Sequence, residues 1–100
     1  MRRLAVGVGC TSGAAAEEVT ALIAATLAEC PGEIGVVATA AKRARHPAVV
    51  AAAARFGVGI ASFADLGAAV AEPAARRFGP LLVEKRKSAH ATCAIAEMAP

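Results

Sequence analysis

Three short apolar runs, Leu4 to Val8, Ile34 to Thr39 and Val58 to Ser62, are separated by two stretches of helical periodicity. That rhythm limits the fold more than any other feature. Short runs rich in Val and Ile read as buried strands. Between the first two, Val19, Leu22, Ile23 and Leu27 recur at helical spacing within Ala14 to Glu29. Glu17 and Glu18 fall in that helix's first turn, where the dipole favours acid, and Pro31-Gly32 stops it. Pro47 opens a second helix through Arg55, closed by Phe56-Gly57. Parallel strands need such crossovers, so the order is βαβαβ. Phe63 to Val70 and Pro73 to Phe78 read as two short helical pieces, the second broken by Gly79-Pro80. Leu81 to Lys85 and Thr92 to Ala96 are apolar strands flanking the polar turn Lys87-Ser88-Ala89-His90, a C-terminal hairpin. The expectation is a single α/β domain over residues 1–100. It is a three-layer α/β/α sandwich with a mostly parallel sheet of about five strands.

Composition qualifies this reading. The hydrophobic share is 57%, but much of it is alanine, which contributes little area per residue. A core must come from Val, Leu and Ile, with Phe56, Phe63 and Phe78. A chain of this length buries a modest share of its surface, so a homo-oligomer is an expectation. No stretch reaches the roughly 20 apolar residues of a membrane span. Met1 to Cys10 resembles a short lipoprotein signal, but Leu4 to Val8 is shorter than an h-region of about 7–15 residues. It reads as a strand, and a cytoplasmic location is expected. Cys10, Cys30 and Cys93 contain no CxxC and have two histidines for company, so neither a metal site nor a disulfide is expected. The net charge of +3 hides two clusters, Lys42-Arg43-Ala44-Arg45 and Lys85-Arg86-Lys87. The bland reading of each is a solvated loop or edge strand. Without Trp or Tyr there is no platform for base stacking, so nucleic acid is not an expected partner.

Ligands of open α/β sheets gather at the carboxyl ends of the strands. That edge holds Gly9 to Gly13 after the first strand and Thr39 to Arg45 after the second. A glycine-rich turn entering a helix offers free N–H groups to an anion. Gly7-Val8-Gly9-Cys10-Thr11-Ser12-Gly13 has the wrong spacing for the dinucleotide fingerprint and no Lys-Ser/Thr of a P-loop, so an ordinary tight turn is an even competitor. Cys10 precedes a helix N-terminus, a setting that lowers a thiol pKa. It is a nucleophile candidate beside the plainer reading of a packed cysteine. Thr39 is either a ligand contact or a strand-end hydroxyl satisfying the next loop. Cys93 alternates with Ala91 and Ile95 as buried packing, Cys30 marks a helix end, and His46 before Pro47 is a helix-cap candidate.

Gly7-Val8-Gly9-Cys10 with Glu17-Glu18-Val19, then Ala38-Thr39, then Lys85-Arg86-Lys87-Ser88 with Thr92-Cys93-Ala94-Ile95-Ala96, resembles the CobE and CbiG C-terminal domain family of cobalamin (vitamin B12) biosynthesis. The motifs fall in the family's order across nearly the whole chain. There are departures. The family's helix-start Ser falls at Ala15, so its capping box with Glu18 is lost. The acid after the Thr falls at Ala41, the following Lys becomes Arg43, and the segment between Leu66 and Val70 is shorter than the family pattern.

The resemblance implies a precorrin or cobalt-precorrin ligand, a macrocycle with apolar faces and an edge of acetate and propionate carboxylates. It also implies a site built from Gly9, Cys10, Gly13, Thr39, Arg43, Lys85, Lys87, Ser88 and Thr92, with Lys42 and Arg86 adding charge. No cofactor is implied. The first expectation is a binding accessory of the pathway. A second is opening of a cobalt-precorrin δ-lactone, as in CbiG, with Cys10 or Thr39 near the reacting carbonyl, although no base–nucleophile–orienter set is legible. A third is a scaffold whose alanine-rich helices pair with other enzymes of the pathway.

Overall fold

The computed structural model describes residues 2–99. Its sheet has five strands, β1 (Arg3–Cys10), β2 (Glu33–Ala40), β3 (Gly59–Phe63), β4 (Leu81–Lys87) and β5 (Ala91–Glu97), in the order β3-β2-β1-β5-β4. Helices α1 (Ala16–Glu29) and α2 (Pro47–Arg55) make the two crossovers, and α3 (Ala71–Arg76) precedes the hairpin. β1, β2 and β3 run parallel, while β5 runs antiparallel to both β1 and β4. The sheet is therefore mixed rather than mostly parallel. The C-terminal hairpin joins beside β1 and makes it the central strand.

Residue parity along β1 sorts the layers. Leu4, Val6 and Val8 face α1 and α2, and meet Val19, Ile23, Val49, Cys93 and Ile95 in one buried aliphatic cluster. Ala5, Gly7 and Gly9 face the other way, toward α3. There the packing is nearly all alanine: Ala71 and Ala75 of α3 lie on Ala94 and Ala96 of β5. A Cβ on Gly7 would collide with the Ala71 carbonyl oxygen and come within 2.9 Å of the Ala75 nitrogen. One on Gly9 would lie 2.7 Å from the Thr92 hydroxyl. The GxG therefore lies inside the strand and lets α3 approach the sheet, rather than forming the turn after it.

Two further expectations change. Residues 63–70 are not a helix: Phe63 closes β3, paired with Ala40, and an irregular segment leads to α3. Ala71 and Glu72 start α3 ahead of Pro73, so the missing proline N–H is one the first turn leaves unbonded anyway. The three phenylalanines lie outside the fully buried core. Phe63 and Phe78 meet edge to face at 6.1 Å, and Arg77, paired with Asp65 at 2.6 Å, lies 4.7 Å over the Phe63 ring. That cluster ties the irregular segment to the end of α3.

Candidate functional site

Because β5 is antiparallel to β1, Ala91 and Thr92 lie beside Cys10 and Gly9, at the carboxyl end of β1. The hairpin turn is secured there by the Thr11 N–H, which donates to the His90 carbonyl at 2.9 Å. The result is a cavity of about 390 Å³ between the end of β1, the start of β5, the end of β4 and residues 68–70. Its walls bring together Gly9, Cys10, Arg43, Lys85, Lys87, Ser88 and Thr92, along with Lys42 and His90. The two basic clusters, distant in sequence, thus share one cavity.

Strand geometry decides which cations enter it. A shift of register between Val83 and Arg86 interrupts the alternation in β4. After it, Arg86 pairs with Cys93 on the α1 face and Lys87 pairs with Thr92 on the α3 face. Arg86 is consumed there, donating from Nε and Nη2 to the Glu29 carboxylate at 2.9 and 2.6 Å. It adds no charge to the cavity, contrary to the expectation for that cluster. Among the described residues the ammonium groups of Lys42, Lys85 and Lys87 form no ion pair, although the Lys85 backbone N–H donates to the Glu72 carboxylate at 2.8 Å. Arg43 donates from Nε to the Cys10 carbonyl at 3.0 Å, which fixes its guanidinium at the cavity wall.

The remaining predicted residues are placed elsewhere or in other roles. Thr39 shares the face of Val37, is fully buried, and donates its hydroxyl to the Val8 carbonyl at 2.7 Å. Its hydroxyl is the strand-end kind that satisfies a neighbouring strand. Gly13 is exposed with open space around it and lies outside the cavity. Burial pushes the Cys10 thiol up from its ordinary 9.0, against the pull of Arg43 and with a further rise from Glu18. That direction is opposite to the one a helix N-terminus gives. Cys93 is fully buried, and desolvation raises its pKa to about 12. His46 does cap α2: its Nδ1 accepts from the Ala48 N–H at 3.1 Å, and its Nε2 lies 3.0 Å from the Ser12 carbonyl, so the Nε2–H tautomer serves both.

Glu18, read from the sequence as a first-turn acid that has lost its capping box, takes a role at the turn that the sequence did not indicate. Ala15 is the N-cap of α1 and gives no side-chain cap, so Glu18, at N3, has no box to close. Its carboxylate instead accepts from the Ser88 hydroxyl, from the His90 N–H at 2.6 Å and from the His90 ring at 3.1 Å. Ser88 therefore spends its hydroxyl on holding the turn. The Ser88 bond above all, then the His90 N–H, lowers the Glu18 pKa from its ordinary 4.5.

Fold and site together define an α/β domain with a basic cavity at the carboxyl end of its central strand. The family model for the cobalamin synthesis G C-terminus matches residues 4–66. Protein CobE of Sinorhizobium sp is 34% identical over 122 aligned positions, covering 93% of this chain and 79% of that protein. A crystal structure of CobE, from the cobalamin (vitamin B12) biosynthetic pathway, superposes with a TM-score of 0.81 at 25% identity, over 98% of this chain and 92% of that one. A cobalamin biosynthesis protein G homolog from Sulfolobus solfataricus gives 0.78 at 20% identity. It spans 98% of this chain but 37% of that one, and shows the fold alone. The chain belongs to the CobE and CbiG C-terminal family of cobalamin biosynthesis. The family model ends before the hairpin, so the likeness of the Lys85 to Ala96 tail rests on the CobE comparisons. No helix among the described residues is long and apolar enough to cross a membrane.

Proposed function

We propose that this protein is a binding accessory of cobalamin biosynthesis that holds a precorrin-type polycarboxylate in the cavity at the end of β1. One observation carries the reading: Lys42, Arg43, Lys85 and Lys87 converge on one cavity, and the ammonium groups of the three lysines form no ion pair among the described residues. Four cations with short apolar walls between them (Ala68, Ala69 and Val70) suit a rigid ligand with several carboxylates better than a single small anion. The lactone-opening alternative draws less support. Its nucleophile candidates are a thiol whose pKa burial raises and a hydroxyl sealed inside the sheet. A nucleophile needs an adjacent base or a lowered pKa, and neither group has one.

Absorbance titration with purified precorrin intermediates tests the proposal. The expected result is saturable binding, weakened at least about tenfold in Lys85→Ala/Lys87→Ala, which loses two charge-assisted contacts. Wild-type protein that gives no spectral change and no co-elution with any intermediate would refute the binding function. Acetaldehyde released from a lactone-bearing intermediate by the isolated chain would move the assignment to the enzyme.

A further inference from the structure

A second cavity, of about 330 Å³, lies at the carboxyl ends of β2 and β3, lined by Ala40, Ala41, Phe63, Ala64, Leu66 and Gly67 together with Lys42. Its lining is apolar apart from that one lysine. Two features set it beside the basic cavity. Lys42 lines both, and the same irregular segment walls both, with Ala64, Leu66 and Gly67 on one cavity and residues 68–70 on the other. Each cavity alone is near the lower end of the range of ligand pockets, about 300–1,000 Å³. A rigid ligand broader than either has room only by lying across the two.

We infer that the two cavities form one bipartite site, in which the basic half takes the carboxylates of the ligand and the Phe63–Leu66 half takes an apolar flank of its ring. The inference rests on the polycarboxylate reading of the basic cavity. It adds that charge alone does not select the ligand: an anion without a broad apolar flank leaves half of the site unused. Lys42, at the junction, marks where the carboxylated edge ends and the apolar flank begins.

The test uses two probes on the full chain. Uroporphyrin, an octacarboxylate tetrapyrrole, offers both chemistries, and citrate offers carboxylates alone. Leu66→Asn places a polar amide in the apolar half without changing its charge, at a half-buried loop position outside the buried core. Ala64→Asn repeats the change at an exposed neighbour. The expected result is about tenfold weaker uroporphyrin binding in Leu66→Asn, which loses an aliphatic contact with the ring, a smaller loss in Ala64→Asn, and citrate binding unchanged in both. Unchanged uroporphyrin binding in both variants, where wild type binds it, would overturn the bipartite site and leave the basic cavity standing. Equal loss of both probes would also overturn it, because the halves would then not take separate parts. Wild type that binds neither uroporphyrin nor any precorrin would take the parent reading down as well.

Discussion

Gly7 and Gly13 look alike in sequence and differ in what they permit. Gly7 sits where the backbone of α3 crosses the sheet, and neither a carbonyl oxygen nor a helix nitrogen can step aside as a side chain can. Gly7→Ala is therefore expected to lower stability by about 2–3 kcal/mol, the upper part of the cost of overpacking a core. Gly13 has open space around it, and Gly13→Ala should be neutral or stabilising by up to about 1 kcal/mol through the unfolded chain. Denaturant midpoints measure both; equal midpoints for the two variants would contradict the close approach of α3. Glu18 makes a prediction of a different kind. Its folded-state pKa lies below the ordinary 4.5, so its hold on the turn is complete above that value and is lost as pH falls through the lowered one. The amide proton of His90, bonded to this carboxylate, should move upfield in NMR spectra as Glu18 takes up its proton below pH 4.5. In Glu18→Gln that titration should vanish. A wild-type His90 amide that ignores this pH range would mean the carboxylate does not hold the turn.

At the scale of elements, the strands and long helices are legible in the sequence because each depends on local periodicity. α2 runs over Pro47–Arg55 as its proline start and Phe56-Gly57 end imply. α1 begins at Ala16, with the uncapped Ala15 that the missing family Ser leaves behind. The features that the sequence hides depend on parity and on partners. The alternation of Gly7 and Gly9 is itself a signal, since two glycines on one face of a buried strand mark a close neighbour. It reads as a turn because the helix that comes close, α3, is only six residues of mostly small side chains. Alanines at 64, 68 and 69 suggest helix where tertiary contacts impose none: Phe63 is drawn into β3, and Arg77 anchors the irregular segment through Asp65. Most of the site is readable, because family order places Gly9, Cys10, Lys85, Lys87 and Thr92 and the antiparallel pairing of β5 with β1 brings them together. Arg86 departs from expectation for one reason. Which face a strand residue takes is fixed by register, and the β4 register shift is invisible without its partner strand.

At the scale of the whole molecule, the arginine–carboxylate ion pairs are set apart from the cations of the cavity. Arg2 with Glu97, Arg86 with Glu29 and Arg77 with Asp65 lie away from the basic cavity and satisfy one another. The cations that line the cavity face solvent instead, and Glu18 beneath the turn is already engaged by Ser88 and His90. A chain whose net charge is only +3 thus presents a concentrated positive field at one edge of its sheet. Such a field attracts a polycarboxylate over a distance set by salt, about 10 Å at 0.1 M and 3 Å at 1 M. Exposed pairs contribute roughly 0.2–1 kcal/mol each, so screening four of them should weaken uroporphyrin binding about tenfold across that salt range. Lys85→Ala/Lys87→Ala should show a shallower salt dependence in proportion to the contacts removed, whereas the uncharged Leu66→Asn should not flatten it. The two halves of the site are thereby distinguished by a measurement that needs no pathway intermediate. Wild-type affinity that does not change with salt would mean that the bound carboxylates do not meet these lysines, whatever the apolar half contributes.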